Sequence, residues 1–182
     1  MIYRLMDILF SSLGLVFLSP IFLIIFLLGF FDTGSPLFIQ KRVGVDKKPF
    51  NLIKFRTMKI ETESVASHLA SSSNITKLGR VLRKTKLDEL PQLINVFLGT
   101  MSFVGPRPNL FNQSELIHYR DIMGVYQVRP GITGLAQINN INMSTPELLA
   151  KIDSEMIQGM SFLAYFKYIL KTVMGSGSGD AI

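Results

Sequence analysis

Two neighbouring acids, Asp88 and Glu89, are where this sequence could do chemistry, because it offers almost no thiol or imidazole to do it. The 182-residue chain has no cysteine and only two histidines, His68 and His118. That excludes disulfide scaffolds, cysteine nucleophiles and thiolate metal sites, and it leaves too few histidines for a histidine-built zinc centre. Carboxylates, basic groups and hydroxyls remain. The acids lie in GRVLRKTKLDELPQLINVFLG, residues 79–99. With Asp88 as N-cap, Pro91 falls at the third helical position, where no intrahelical donor is needed. Asp88 would then stand beside free amides and the positive end of a helix dipole, a place that also suits phosphate. Asp88, Gln92 and Asn95 would share one polar face. An ordinary cap followed by a solvated acid accounts for the same window. A paired-carboxylate site could instead hold Mg²⁺, which bridges to substrate phosphates, or use a carboxylate as the nucleophile of phosphoryl transfer, forming an acyl phosphate. Arg80, Arg83, Lys84 and Lys86 just upstream would offset phosphate charge. Arg107, held between prolines in GPRP, and Arg129 in VRPG suit bidentate phosphate recognition, although a surface turn explains each one singly.

The elements that must position these groups begin with an apolar run. From Ile8 to Phe31 no residue is charged, long enough to cross a bilayer as a helix. Gly29-Phe-Phe-Asp32 makes a poor cleavage site for a signal peptide. Ser19-Pro20 interrupts the run, so the helix should kink there, with the Ser19 or Ser12 hydroxyl compensating the freed carbonyls. Arg4 precedes the run and Lys41, Arg42, Lys47 and Lys48 follow it, so charge leaves a spanning and a re-entrant helix equally open. Residues 36–57 read as a β-hairpin around VGVDKKP. Residues 60–77 read as a serine-rich loop, either a linker or a lid. Residues 78–98 should be helical at both ends, with Gly99 as the stop. MSFVGPRPN should carry no regular element, 110–126 a helix, and RPGITG a turn-rich connection. Two amphipathic helices, 145–158 and 161–174, close the chain, the second suited to the membrane interface or to the core. The composition agrees with a lipid setting: 48% hydrophobic residues, 18% charged, mean hydropathy +0.34 and a net charge of +6. Basic charge with high hydropathy fits an anionic membrane surface or phosphorylated substrates better than nucleic acid, and no nucleic-acid partner is expected.

Six ordered motifs give these parts a common source. Ser19-Pro20 in the apolar helix, QKRVG (40–44), KFRTM (54–58), LDELPQLINV (87–96), GTMSFVGPRP (99–108) and VRPGITGLAQIN (128–139) make the chain resemble, from about Tyr3 to Val173, the bacterial sugar transferase family. These are small monotopic phosphoglycosyl transferases. The resemblance implies transfer of a sugar 1-phosphate from a nucleotide (expected uridine) diphosphate sugar to polyprenyl (undecaprenyl) phosphate, with release of UMP. It implies Asp88 as the nucleophile that carries the phosphosugar, Glu89 as its dyad partner, and Mg²⁺ at this pair. Lys54, Arg83, Arg107 and Arg129 become the candidate phosphate-binding set. Ser19 and Pro20 become the break that makes the membrane helix re-entrant, placing both chain ends on the cytoplasmic face of the bacterial inner membrane.

The fold expected is thus mainly α with a small β-hairpin: a re-entrant membrane helix over 1–32, a compact cytoplasmic catalytic domain with interfacial amphipathic helices over 33–174, and a flexible tail over 175–182. Membrane lipids and downstream glycosyltransferases are the further partners, with a homodimer left open, and O-antigen or capsule assembly the setting. The sequence departs from the family pattern at Leu135, at Asn139-Asn140-Ile141, and at Glu155, Met156 and Tyr165 around Asp153. These positions are expected near the sugar or nucleotide, so the donor sugar is not assigned. A cationic membrane-docked scaffold without catalysis is the competing account; it needs no Asp-Glu pair beside GPRP.

Overall fold

The computed structural model describes residues 2–62, 72–175 and 177. Helix α1 (Ile2–Phe17) and helix α2 (Ser19–Thr33) meet at Leu18 with a bend of 63°. Pro20 causes it: its missing N–H would have bonded Val16 O in a continuous helix. The Ser19 hydroxyl donates to that carbonyl instead, at 2.8 Å, as the sequence suggests for Ser19; the Ser12 hydroxyl bonds Ile8 O, a turn away from the break. Among the described residues no single helix is long and apolar enough to cross a membrane.

α1 is built inside out. Its buried residues are Asp7 and Ser11, while Ile2, Leu5, Ile8, Leu9, Leu13, Val16 and Phe17 are exposed. α2 exposes apolar side chains around most of its circumference and buries only Ile25 and Gly29. At α2's end Gly34 adopts a left-handed φ of 74° and turns the chain into a hairpin. Strands β1 (Leu37–Val43) and β2 (Pro49–Phe55) pair antiparallel, Leu37 opposite Phe55 and Val43 opposite Pro49, as the β-prone runs predict.

The expected helix over 78–98 divides. α3 (Lys77–Thr85) starts at a Thr76 cap, whose hydroxyl accepts from Gly79 N at 2.9 Å, and stops at Lys86, left-handed at φ 58°. A 3-10 turn over Leu87–Glu89 follows, then α4 (Gln92–Leu98), ended by Gly99 at φ 85°. Asp88 therefore does not cap a helix: Pro91 occupies that place. Pro91 offers no amide to Leu87 O, and the chain closes shorter i→i−3 bonds, Glu89 N to Lys86 O and Leu90 N to Leu87 O. Asp88, Gln92 and Asn95, expected on one polar face, are all buried.

A second sheet lies where none is expected. β3 (Ser102–Val104) and β4 (Gly131–Thr133) pair in parallel, Ser102 opposite Gly131 and Val104 opposite Thr133. Three-residue strands flanked by glycine leave no alternation to read. The glycines are there because the backbones touch: a Cβ on Gly131 would lie 2.1 Å from Gly105 N, and one on Gly105 would lie 2.4 Å from Arg129 O. Helices α5 (Ser114–Ile122), α6 (Leu135–Ile138), α7 (Pro146–Gln158) and α8 (Phe162–Val173) complete the chain. α8 packs Tyr165 against Val104 and Met156 and leaves Phe162, Leu163, Leu170 and Val173 exposed. Residues 63–71, the middle of the 60–77 segment expected to be a linker or lid, and 176 and 178–182 of the tail lie outside the described residues.

Candidate active site

β2, the 3-10 turn and the segment after β3 bring Lys54, Asp88, Glu89 and Arg107 together. Asp88 is 3% exposed and Glu89 8%. Arg107 Nη2 donates to Glu89 Oε1 at 2.6 Å, and Lys54 Nζ reaches the same oxygen at 3.4 Å. Two cations on one buried carboxylate oxygen offset its charge, on the residue that follows Asp88 in the 3-10 turn. Lys54 arrives there because α4 grips β2 side-on: Asn95 Oδ1 accepts from Ile53 N at 3.1 Å, and its Nδ2 donates to Asn51 O at 2.7 Å. Asn95 is thus a clamp between helix and strand.

Arg107 is held by its backbone. Pro106 and Pro108 have no N–H, so the segment can be fixed only through its carbonyls and the remaining amides. Four consecutive carbonyls are taken by different elements. Pro106 O accepts from Gly131 N at 2.9 Å, Arg107 O from Arg120 Nη1 at 2.9 Å, Pro108 O from Arg42 Nη1 at 3.1 Å, and Asn109 O from Val43 N at 3.0 Å. Arg42 and Val43 belong to β1, so the hairpin supports the site at both of its strands.

Arg83 Nε donates at 2.9 Å to Oγ1 of Thr57, which lies three residues along the chain from Lys54. α3 lies hard against that threonine, since a Cβ on Gly79 would sit 2.0 Å from Thr57 O. Arg129 is not brought to the acids. Its Nε donates to Gly99 O at 2.8 Å, at the far end of α4, and a helix of this length, at about 1.5 Å per residue, puts roughly 10 Å between its two ends. There it lines a cavity of about 740 Å³ with Arg4, Asp7 and Tyr3 of α1.

Asp153, Met156 and Tyr165, expected near the sugar or nucleotide, are buried at 0%, 1% and 1% exposure; Met156 and Tyr165 line the same cavity as Arg129, and Asp153 does not. Asp153 pairs with Arg120 on α5; burial pushes its carboxyl above the usual range, and the guanidinium opposes this. Asp7 escapes a reading of the sequence altogether. Its Oδ1 accepts from Ser102 Oγ at 3.0 Å, Phe103 N at 3.0 Å and Tyr165 Oη at 2.8 Å. A lone acid immediately before a long uncharged run is the signal that could have found it. Arg120 has none.

Asp88 and Glu89 are the residues that could hold a metal. Among the described residues no group of three or more metal-ligating side chains occurs. Two adjacent carboxylates fit the mode Mg²⁺ adopts with phosphate substrates, one or two protein carboxylates with the other positions filled by substrate oxygens and water. The arrangement as a whole suits a reaction at phosphorus: a buried acid to attack, a second acid to organise cations, and Lys54, Arg107 and Arg83 to neutralise phosphate charge.

The family model of the bacterial sugar transferases matches residues 1–177. The UDP-glucose:undecaprenyl-phosphate glucose-1-phosphate transferase of Klebsiella pneumoniae is 40% identical over 183 residues, covering 93% of this chain and 39% of the relative. The uncharacterized sugar transferase EpsL of Bacillus subtilis is 43% identical over 141 residues, 77% of this chain and 69% of the relative. The exopolysaccharide production protein ExoY of Rhizobium meliloti is 35% identical over 190 residues, 93% of this chain and 83% of the relative. The chain thus spans about two fifths of the length of the Klebsiella protein it matches.

Proposed function

The chain belongs to the bacterial sugar transferase family, and from that footing we propose that it transfers a sugar 1-phosphate from a UDP-sugar to undecaprenyl phosphate, as the first membrane step of assembling a bacterial polysaccharide. The observation that carries this is the buried Asp88-Glu89 pair with Arg107 and Lys54 converging on Glu89. An Asp88 oxygen attacks the β-phosphorus of the donor. The bond from that phosphorus to the bridging oxygen breaks, UMP leaves, and an acyl phosphate carrying the sugar remains. An oxygen of the lipid phosphate then attacks the same phosphorus, the bond to Asp88 breaks, and the free carboxylate returns with undecaprenyl diphosphate-sugar as product. Mg²⁺ held by Asp88 and Glu89 would supply charge neutralisation for the diphosphate. Glu89 keeps the Arg107 and Lys54 cations where the equatorial phosphate oxygens will lie. One phosphate site serves both half-reactions in turn.

The lipid setting rests on α1 and α2. A helix that buries an aspartate and a serine and turns its leucines, isoleucines and phenylalanines outward is stable only if apolar surroundings cover it. We take α1 and α2 as one re-entrant element, bent at Ser19-Pro20, that leaves both chain ends on the cytoplasmic face of the inner membrane, where a soluble UDP-sugar and a lipid phosphate can meet. The exposed apolar side of α8 lies along the same interface. The test is UMP release from detergent-solubilised protein with a panel of UDP-sugars, undecaprenyl phosphate and Mg²⁺. Asp88→Asn should abolish release and leave the protein in the membrane fraction; undiminished release by that variant refutes the nucleophile.

A further inference from the structure

Behind the 106–109 segment lies an ion pair that the chemistry above does not use. Arg120 of α5 and Asp153 of α7 are 1% and 0% exposed. Arg120 Nη2 and Nε both donate to Asp153 Oδ2, at 2.6 and 3.1 Å. Its Nη1 points the other way, to the Arg107 carbonyl and to Asn109 Oδ1, each at 2.9 Å. The Tyr126 hydroxyl donates to that same Asn109 oxygen at 3.0 Å.

Stability alone is a poor reason for such a pair. Apolar side chains of similar volume fill a core as well or better, because taking two charges out of water is costly. What a leucine could not do is place a donor under the Arg107 peptide. With prolines on both sides, that peptide's carbonyl is one of the few handles by which the loop can be turned. A rotation of the Arg107 peptide would swing its guanidinium off Glu89, which it meets at 2.6 Å. We propose that Arg120, oriented by Asp153, is a positioning residue for Arg107, holding the peptide from which that guanidinium reaches the reacting phosphate. This rests on the sugar-phosphate transfer proposed above. Asp153 fixes which edge of Arg120 faces the loop, and Asn109 with Tyr126 closes the network on the far side. None of these four residues touches substrate; their effect on turnover passes through Arg107.

A double-mutant cycle separates positioning from simple support of the fold. Asp153→Asn and Arg120→Lys are each made with Arg107 intact and with Arg107→Lys. Turnover is read as UMP release from UDP-glucose or UDP-galactose with undecaprenyl phosphate and Mg²⁺, and Tm is read alongside. Arg120→Lys keeps a cation against Asp153 while losing the arm to Arg107 O, so it stands if Asp153→Asn folds poorly. With Arg107 intact, kcat should fall about 10- to 100-fold, the scale of an ångström of misplacement. With Arg107→Lys, the same changes should cost no more than about twofold, although their Tm losses are equal in both backgrounds. An equal loss of kcat in both backgrounds overturns the proposal. If neither donor is turned over, the same cycle is read on the Kd of UDP, with the same criterion. Full activity of Asp88→Asn would refute the assigned nucleophile and leave this cycle intact, because coupling between Arg120 and Arg107 does not depend on which atom attacks phosphorus.

Discussion

Replacing Asp7 probes the junction between the apolar helix pair and the rest of the protein. One carboxylate oxygen, Oδ1, accepts from the Ser102 hydroxyl, the Phe103 amide and the Tyr165 hydroxyl, at 2.8–3.0 Å, and Asp7 is 1% exposed. Hydrogen bonds to a charged acceptor contribute about 1.5–3 kcal/mol each. Three donors crowding one oxygen do not add in full, so the lower part of that range applies. Asp7→Ala leaves all three donors buried without an acceptor, and the expected loss is about 3–5 kcal/mol, the scale of breaking a buried charged contact from one side. For a chain of this size that lowers Tm by roughly 2–4 °C per kcal/mol, hence about 6–20 °C. Asp7→Asn keeps an oxygen at the shared point and should cost only about 1–2 kcal/mol. Thermal denaturation in detergent micelles, followed by far-UV circular dichroism, reads both variants. Asp7→Ala melting within about 2 °C of the parent, or Asp7→Asn melting as low as Asp7→Ala, would refute the shared-acceptor account.

Three further outcomes follow from the geometry. Pro20→Ala restores an amide that can bond Val16 O and should open the 63° bend toward a straight, spanning helix. Because the chain lacks cysteine, Ile2→Cys gives a unique label; it should react only from the cytoplasmic side with Pro20 present and in part from the opposite side with Pro20→Ala, and unchanged sidedness would sink the hinge. Gly105→Ala places a Cβ 2.4 Å from Arg129 O and 2.8 Å from Gly131 N, so β3 and β4 must separate; a loss of about 1–3 kcal/mol is expected, and a melting curve identical to the parent would contradict it. The Tyr126 and Tyr165 phenols are both pushed above the ordinary tyrosine range, chiefly by burial, with the Asp7 carboxylate adding to the rise at Tyr165. A raised native pKa means the folded state keeps protons that the unfolded chain gives up, so stability is fully present below about pH 10 and falls by up to about 1.4 kcal/mol per pH unit per tyrosine above it. Absorbance at 295 nm should show both phenols ionising above pH 10; titration of Tyr126 near pH 10 in the native state, assigned with Tyr126→Phe, would contradict the burial of its hydroxyl.

The parts legible in the sequence are those with a period or a punctuating residue. The hairpin is two β-prone runs around a turn, α7 and α8 carry apolar stripes, and Ser19-Pro20 and Gly99 mark breaks that the structure keeps. The acids and Arg107 can be nominated from type and spacing, but their assembly cannot. Lys54 lies 35 residues from Glu89 and meets it through Asn95, whose grip on β2 has no sequence signature. The differences between expectation and structure share a cause: one local pattern serves two geometries. LDELP suits a helix cap at Asp88, while the left-handed Lys86 and the missing Pro91 amide impose a 3-10 turn. Glycines that permit the β3–β4 contact look, in sequence, like glycines that make turns. Arg107 and Arg129 both precede proline, yet one bonds Glu89 and the other the carbonyl of Gly99.

That last difference shows what α4 is for. At its N-terminal side the preceding turn presents Asp88 and Glu89. At its C-terminal end Arg4 of α1 donates to the Val96 and Phe97 carbonyls, and Arg129 to that of Gly99. Phe97 O is one of the orphan acceptors every helix leaves, Val96 O accepts from Gly99 N as well, and cations at this end also oppose the negative end of the dipole. Between the two ends Gly14 of α1 brings that helix close to Leu93, where a Cβ would stand 3.0 Å from Leu93 Cδ1. So the apolar helix backs the element that follows the acids along its whole length of roughly 10 Å. Asp7, about one turn on from Arg4, ties the same helix to β3, which runs directly into Gly105, Pro106 and Arg107. The acids and the guanidinium that meets them are therefore both referenced to α1. If α1 sits in lipid, the depth of the site relative to the bilayer is set by these side-chain contacts and not by the slack of a linker. Under the proposed transfer, an acceptor phosphate at a fixed height in the membrane interface would need that constraint, and the Arg4 and Asp7 contacts of α1 would supply it.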